Sequence, residues 1–284
     1  MKERKFLFFV LLLGVLSGCW ERSGKADSEN MPVTEEVIAP VIEEDDTLEI
    51  VERKPVPVID DGYFDDFIYT FATDEQFQRE RIKFPLPVYN LDEALYIEED
   101  EWQHDELFLS EDYYTLLFDK EDDMDLIADT AVHSVQFEWI YLKDMVMKKY
   151  YFERVEGMWV LEAVNQRQID NEKNDDFIHF YEKFANDNIF QEQHIKNPLT
   201  FITLDPDDEF SILETFIDAK QWLAFCPVLP VEKLTNINYG QEGNDHSVEK
   251  ILKISGVGSG YSNLLYFRKV RNKWELYRFE DTSV

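Results

Sequence analysis

The sequence predicts an α+β protein built from two tandem repeats, each with N-terminal helices packed on a curved antiparallel sheet. The first observation is a duplication: FDDFIYTFATDEQFQRERIKFPL begins at Phe64, FIHFYEKFANDNIFQEQHIKNPL begins at Phe177, and the two align without a gap. The second is that each copy opens with apolar residues at helical spacing and closes with segments of period two. A long-period repeat of this kind indicates that one folding unit was duplicated.

Each copy is predicted to begin with two helices. The apolar residues lie at i, i+3, i+4 and i+7 and so share one face of a helix. They are Phe64, Phe67, Ile68 and Phe71 in the first copy, and Phe177, Phe180, Tyr181 and Phe184 in the second. Such stripes are typical of a core, although they could also line a ligand cavity.

The second helix of each copy is predicted to be short, with Asp74 and Asp187 as its caps. In the first copy, Phe77 is expected to face the core and residues 78–81 to face solvent. Pro85 and Pro87 then end any helix.

The remainder of each copy is predicted to be mostly extended, with one further helix. Alternation with a period of two and the intervening turns indicate the strands. The predicted strands are 135–141, 145–155, 158–164, 248–255, 262–270 and 273–279, extended segments cover 82–89 and 195–203, and further helices cover 111–118 and 210–225. The strand ends repeat as well, since Tyr151-Phe152 and Trp159 match Tyr266-Phe267 and Trp274.

Helices followed by a bent antiparallel sheet resemble the cone-shaped nuclear-transport-factor-2-like (NTF2-like) fold. The pattern Phe-x-x-Phe-x-x-x-Phe-Ala-x-Asp-x-x-Phe-Gln, followed by Ile-Lys-x-Pro-Leu, resembles the domain of unknown function 4348 family of Bacteroides-type lipoproteins. The resemblance extends from Asp61 to the C-terminus and includes the N-terminal segment described next. It implies a fold and an anchoring mode, and it implies no chemistry.

The N-terminus is predicted to be a lipoprotein signal peptide, residues 1–18. A short basic region precedes the apolar run from Phe6 to Leu16, which is too short to span a bilayer. The run ends in Leu-Ser-Gly before Cys19, which resembles a bacterial lipobox. The resemblance implies cleavage before Cys19 and acylation of its side chain and new N-terminus, which would anchor the protein stably in a membrane. An ordinary signal peptide with an incidental cysteine is the alternative.

Residues 19–60 are predicted to form a disordered acidic tether, because they are polar, charged and dotted with proline. The first repeat is then assigned to 61–169 and the second to 170–284. Residues 20–23, Trp-Glu-Arg-Ser, lack the dense acidic run associated with surface export. We therefore expect a protein of the bacterial cell envelope that faces the periplasm.

The charge balance excludes nucleic acid as an expected partner. Asp and Glu number 60 against 28 Lys and Arg, a formal net charge of −32, and phosphate binding depends on Lys and Arg. The expected partners are the membrane, through lipid on Cys19, and an envelope protein or small ligand. No cofactor is predicted.

Several other segments could carry chemistry, and each has a plainer interpretation. Cys226 lies in the apolar run WLAFCPVLP and is expected to be a buried, inert thiol. The glycine-rich run 256–260 could cradle a phosphate only if a helix followed it, whereas a strand pattern follows, so a hairpin turn is expected. The acidic clusters 119–125 and 205–209 lack the glycine and alternating ligands of a calcium loop, so no metal is predicted.

No catalytic residue is predicted. The five histidines are His104, His133, His179, His194 and His246, and none has the spacing of a helical metal site. Ser elbows, Walker loops and dinucleotide fingerprints are absent from the sequence. A non-catalytic binding module is the first interpretation, and a cone-fold enzyme using a His–carboxylate pair is the alternative. A position of His133 or His246 inside a cavity, against an acid, would favour the enzyme.

Overall fold

The described part of the chain comprises residues 61–90, 93–170, 175–240 and 247–284 of a computed structural model. The predicted signal peptide, Cys19, the tether 19–60 and His246 lie outside these residues. No helix within them is long and apolar enough to cross a membrane.

The first half contains two α-helices, two 3₁₀ segments and six strands. Its elements are α1 (Phe64–Thr73), α2 (Glu75–Glu80), β1 (Leu86–Asn90), β2 (Glu93–Ile97), a 3₁₀ segment (Leu107–Ser110), β3 (Tyr113–Phe118), a second 3₁₀ segment (Glu121–Ala128), β4 (Ser134–Tyr141), β5 (Val146–Val155) and β6 (Met158–Gln168). The predicted caps are confirmed, because the Asp74 carboxylate accepts a hydrogen bond from the Phe77 backbone at 3.0 Å.

The second half repeats this order. Its elements are α3 (Asp176–Asn186), α4 (Asn188–Gln193), β7 (Ile195–Asp205), β8 (Asp208–Ile217), a 3₁₀ segment (Ala219–Gln221), α5 (Trp222–Phe225), β9 (Lys233–Asn238), β10 (Glu249–Gly256), β11 (Ser262–Val270) and β12 (Lys273–Asp281). Asp187 caps α4 as Asp74 caps α2, accepting from Phe190 at 3.0 Å. The Phe84–Pro85 and Asn197–Pro198 peptide bonds, at matching positions, are both cis.

The strands form two six-stranded sheets with the same internal order. The first runs β2-β1-β6-β5-β4-β9 and the second β8-β7-β12-β11-β10-β3. Both are mostly antiparallel, with one parallel pair each, β1 with β6 and β7 with β12. A register shift falls at Tyr151/Phe152 in β5 and at the matching Tyr266/Phe267 in β11, and such bulges bend a strand. The predicted curved sheets are thereby explained.

The two halves exchange one strand. β3 belongs to the first half but pairs with β10 of the second, while β9 belongs to the second half and pairs with β4 of the first. The repeat boundaries 61–169 and 170–284 stay a prediction about sequence units, since each sheet draws one strand from the other unit.

The exchanged strands contact each other through two equivalent threonines. The Thr115 backbone N–H donates to Thr235 Oγ1 at 2.6 Å, and the Thr235 backbone N–H donates to Thr115 Oγ1 at 2.9 Å. Each hydroxyl in turn donates to the other residue's carbonyl, at 2.6 and 2.8 Å. This reciprocal pattern is what two related halves produce where their equivalent residues meet.

The aromatic stripes predicted for the core are buried. Phe71 and Phe184 are each 0% exposed, and the other stripe residues are all below 9%. Each helix packs on its own sheet, as shown by ring-centroid distances of 5.1 Å for both Phe64–Trp159 and Phe177–Trp274. The helix-to-sheet packing is therefore the same in both halves.

Two predicted helices are wrong. The segment 111–118 contains β3, whose partner β10 lies far away in the sequence and leaves no local signal. The segment 210–225 contains most of β8 and only the short α5. β8 is an edge strand that exposes Ile212 by 66% and Phe216 by 62%, so its apolar residues do not show the period of a half-buried strand.

The expectation that residues 78–81 face solvent is also wrong for two of them. Gln78 is 0% exposed, and Arg81 is largely buried in an ion pair with Asp61 at 2.5 Å. Both side chains hold neighbouring segments to the helix pair, which the helical period alone does not indicate.

Candidate functional site

The space between each helix pair and its sheet is filled by aromatic rings. Phe71 packs edge-on against Phe152 with 5.2 Å between centroids, and Phe184 packs in the same way against Phe267 at 5.3 Å. Rings in this arrangement are as closely packed as a protein core. A ligand can therefore be held at the junctions between elements rather than under these helices.

A half-open pocket of about 240 Å³ lies at such a junction. We call it the Asp65 pocket. Its wall combines both halves of the chain: Asp65, Ile68 and Tyr69 from α1, Phe108 and Leu109 from the 3₁₀ segment, Tyr114 from β3, Ile237 from β9, and residues 256–258. The exchanged strands thus bring the second half's β9 and the first half's β3 to one site.

Two of the three residues that line one side of the Asp65 pocket at the end of β10, Gly256 and Gly258, have no side chain. Gly258 has φ of 65°, a conformation that favours glycine, and a Cβ on Gly256 would meet Ser259 Oγ at 1.9 Å. These residues form the β10–β11 turn, which confirms the hairpin prediction for 256–260. The turn therefore forms one side of the pocket.

The carboxylate of Asp65 is the charged group of this pocket. The Tyr239 hydroxyl donates a hydrogen bond to Asp65 Oδ1. Burial raises the pKa of Asp65, against the lowering effects of the Tyr239 hydrogen bond and the charge of Lys253, while Asp66 adds to the rise. Burial, followed by the charge of Asp65, also raises the pKa of Tyr239. The pair thus consists of a desolvated carboxylate and a neutral phenol.

A second pocket of about 200 Å³ lies beside the threonine contact, and its lysine is already paired. Lys233 Nζ lies 2.7 Å from Glu111 Oε1 and 4.6 Å from the Trp139 ring centroid. An incoming anion would have to compete with Glu111 for Lys233, and an incoming cation would meet the charge of Lys233 in the wall. The Asp65 pocket is the better candidate for a binding site.

Comparisons with known protein families and solved structures agree with the fold described above. The family model of the domain of unknown function 4348 (DUF4348) matches residues 43–281. The chain belongs to this family. An NTF2-like protein from Bacteroides fragilis NCTC 9343, known from a crystal structure, shares 55% identity with a TM-score of 0.75, and the match covers 81% of this chain and 100% of that one. No curated protein matches the chain. The predicted family and the NTF2-like α+β fold are both confirmed.

The described histidines of this DUF4348 protein form no ion pair with a carboxylate. His133 is exposed, and His194 stacks on Phe190 at 3.8 Å with Nδ1 2.8 Å from the Phe190 carbonyl oxygen. His104 and His179 are half-buried, and the Nε2 of each has no hydrogen-bond partner in the part of the chain that the structure describes. Within the described residues, the geometry required by a His–carboxylate enzyme is therefore not formed.

A buried polar cluster that the sequence did not indicate joins Asp105 to β5. The Tyr150 hydroxyl donates to Asp105 Oδ2 at 2.5 Å, and Lys148 Nζ lies 2.5 Å from the same hydroxyl. Burial lowers the pKa of Lys148, and the charge of Asp105 opposes that effect. Tyr150 is 1% exposed. The cluster fixes the segment before Leu107 to the sheet, and it was missed because Asp105 and Tyr150 are distant in sequence.

Cys226 is half-buried, and burial raises the pKa of its thiol to about 12. A thiol that remains protonated is a poor nucleophile. Its geometry agrees with the inert role expected from the sequence.

Three carboxylates of the acidic cluster 119–125 pair with separate cations. Asp119 pairs with Lys250, Glu121 with Arg278 at 2.7 Å, and Asp123 with Lys120 at 3.7 Å. Nowhere in the described residues do three or more His, Cys, Asp or Glu side chains group so that they could hold a metal. The cluster 205–209 lies at the β7–β8 turn, where Asp205 accepts from the Asp207 backbone at 2.9 Å.

We expect millimolar Ca²⁺ to leave the melting temperature of this protein unchanged relative to Mg²⁺. Carboxylates that are held by different cations do not converge on one point, as calcium requires. Thermal unfolding in each salt measures the effect, because a specifically bound ion would stabilise the folded state by mass action. A calcium-specific rise that disappears in the double variant Asp122→Asn, Asp123→Asn would contradict the prediction.

Proposed function

We propose that this DUF4348 protein is a lipid-anchored component of the bacterial cell envelope whose fused NTF2-like halves form a non-catalytic module that binds a ligand or a protein. The anchor rests on the sequence around Cys19, with its basic start, short apolar run and small residues before the cysteine. The acidic segment that follows would hold the folded part away from the membrane and towards the periplasm.

The observation that supports binding rather than catalysis is the packing of aromatic rings under α1 and α3. Enzymes of comparable architecture need a cavity with a positioned acid or base. Here those spaces hold rings such as Phe152 and Phe267, and the open pocket carries one carboxylate bonded to a phenol. This arrangement offers a carboxylate and uncharged phenol groups, which can recognise a ligand through charge and hydrogen bonds.

Replacing Cys19 with serine should abolish incorporation of a fatty-acid probe, because the acylated sulfur is lost. The chain offers a matched control in Cys226→Ser, which removes the second of its two cysteines. Metabolic labelling followed by gel fluorescence measures the outcome. Loss of label in Cys19→Ser but not in Cys226→Ser supports the anchor, and equal label in wild type and Cys19→Ser would refute it.

Binding and catalysis can be separated by following the fate of a ligand. We expect a fraction of envelope extract to raise the melting temperature of the full chain purified in detergent, since a ligand of the folded state stabilises it. Mass spectrometry of that ligand before and after prolonged incubation should show no change in mass. Time-dependent conversion to a product would instead establish the enzyme alternative.

A further inference from the structure

We propose that the Asp65 pocket binds an ammonium or guanidinium group carried on an apolar stem, such as the side chain of a lysine or arginine. The proposal rests on the binding function above and specifies the chemistry of what is bound. Three features carry it: the size of the pocket, its aromatic and apolar lining, and the incomplete pairing of its carboxylate.

The size of the pocket suits a group no larger than a side chain. Sites for drug-sized ligands commonly occupy roughly 300–1,000 Å³. The Asp65 pocket, at about 240 Å³, lies below that range. It is therefore too small for a polycyclic substrate and large enough for a butyl or propyl stem with a polar head.

The lining matches such a stem and such a head. Ile68 and Ile237 present aliphatic surface, while Phe108, Tyr114 and Tyr69 present rings. Tyr69 is 56% exposed at the pocket rim. Aromatic faces attract cations, and tyrosine does so without bringing a competing charge. Neither Lys nor Arg is among the lining residues, and Lys253 is the cation whose charge reaches Asp65.

Among the described residues, the half-buried carboxylate of Asp65 has no ion-pair partner, whereas the buried carboxylates Glu138 and Asp175 each have one. Glu138 and Asp175 are each 4% exposed, and they pair with Lys149 at 2.6 Å and Arg167 at 2.8 Å. Asp65 Oδ1 accepts the Tyr239 hydroxyl, whereas Oδ2 has no hydrogen-bond or ion-pair partner among the described residues. Lys253 influences Asp65 only from beyond ion-pair distance.

The raised pKa of Asp65 has the same physical origin, because a desolvated carboxylate that is not neutralised favours the protonated form. A bound cation would neutralise the Asp65 carboxylate and so favour its ionised form. The overall excess of acidic residues would attract cationic ligands and repel anionic ones at long range. A single carboxylate is too few ligands for a metal ion, so an organic cation is the fitting occupant.

The test uses lysine and arginine blocked at both ends (N-acetyl and C-amide), with blocked norleucine as the uncharged counterpart of lysine. NMR titration of the full chain in detergent, following the signals of α1, should show saturable binding of the two cations and none of norleucine. Asp65→Asn should weaken cation binding by roughly tenfold or more, because it removes a charge-assisted hydrogen bond.

Asp66→Asn is the matched control, since it makes the same change of charge one residue away on the exposed side of α1. It should leave binding within about twofold of wild type, because exposed charges are well screened. Tyr69→Ala serves as a second pocket variant that cannot unfold the core, and it too should weaken binding. Melting curves verify that each variant is folded.

The outcomes show whether the bound cation belongs to an amino-acid side chain or to a free amine, and which results contradict the proposal. If hexylammonium binds but the blocked residues do not, the pocket recognises a free amine, and the proposed chemistry stands. Equal binding of norleucine and the cations, an unchanged Asp65→Asn, or no binding of any probe would overturn the proposal. None of these results bears on whether the envelope ligand is converted, so the binding function is tested separately by the mass of that ligand.

Discussion

Replacing Phe71 or Phe184 with alanine is expected to lower the free energy of unfolding by about 3–5 kcal/mol, the usual cost of removing a fully buried phenylalanine side chain. Both rings are 0% exposed and meet a sheet ring edge-on, at interplanar angles of 88° and 90°. Because the two environments match so closely, the two variants should be destabilised by similar amounts.

Denaturant unfolding of the full chain measures these effects. Tyr69→Ala, on the same helix but 56% exposed, is the control and should change stability by less than about 0.5 kcal/mol. We also expect a single transition for wild type and variants, because each sheet contains a strand from the other half. Wild-type stability in Phe71→Ala or Phe184→Ala would show that the helix stripe is not the core.

Gln78→Leu is expected to destabilise the protein by about 3 kcal/mol or more. The Gln78 amide makes four hydrogen bonds: Nε2 donates to the carbonyls of Phe71 at 2.8 Å and Asp105 at 2.9 Å, and Oε1 accepts from Trp102 Nε1 and the Asp105 backbone, both at 2.9 Å. Leucine has a similar volume but removes the partner of these four groups, two of which are buried and two half-buried. Each such group costs roughly 1–3 kcal/mol, and local relaxation recovers part of the sum.

Gln76→Leu supplies the comparison for this prediction. Gln76 lies on the exposed side of α2, and among the described residues its side chain bonds only to Glu80, at 2.9 Å. Its replacement should leave the unfolding free energy within about 0.5 kcal/mol of wild type. The corresponding Gln191→Leu should behave like Gln78→Leu, since Gln191 is 3% exposed and accepts from Trp222 Nε1 at 2.8 Å. Similar stability of Gln78→Leu and Gln76→Leu would mean that water replaces the lost bonds.

The local periodicity of the sequence was sufficient to predict α1 to α4 and the last three strands of each half. Phe64, Phe67 and Phe71 lie on one helical face because their spacing allows nothing else. The strands β4 to β6 alternate because each has one face on the core. β3 was mistaken for a helix because its conformation depends on a partner strand that is distant in sequence. β8 was mistaken for a helix because it lies at the edge of its sheet.

The Asp65 pocket could not be predicted from the sequence in the same way. Its wall comes from segments as distant as Asp65 and Gly258, and they meet only because β3 and β9 cross to the opposite sheet. The duplicated sequence also draws attention to shared residues, whereas Asp65 has an apolar counterpart, Ile178, in the second repeat. The sequence feature that could have indicated the pocket was therefore this difference between the two copies, and not a residue that they share.

A single half of this chain would resemble one subunit of a strand-swapped dimer. On its own, it would leave a sheet edge open and would need the missing strand from another molecule, so its folding would depend on concentration. Covalent fusion replaces that second molecule with an attached one, at an effective concentration on the order of millimolar or higher. Fragments 61–169 and 170–284, expressed separately, would therefore complement each other to form one folded complex. Fusion also allows the two copies to diverge, so a molecule with matching cores can carry a pocket whose carboxylate, Asp65, has an apolar counterpart in the other copy.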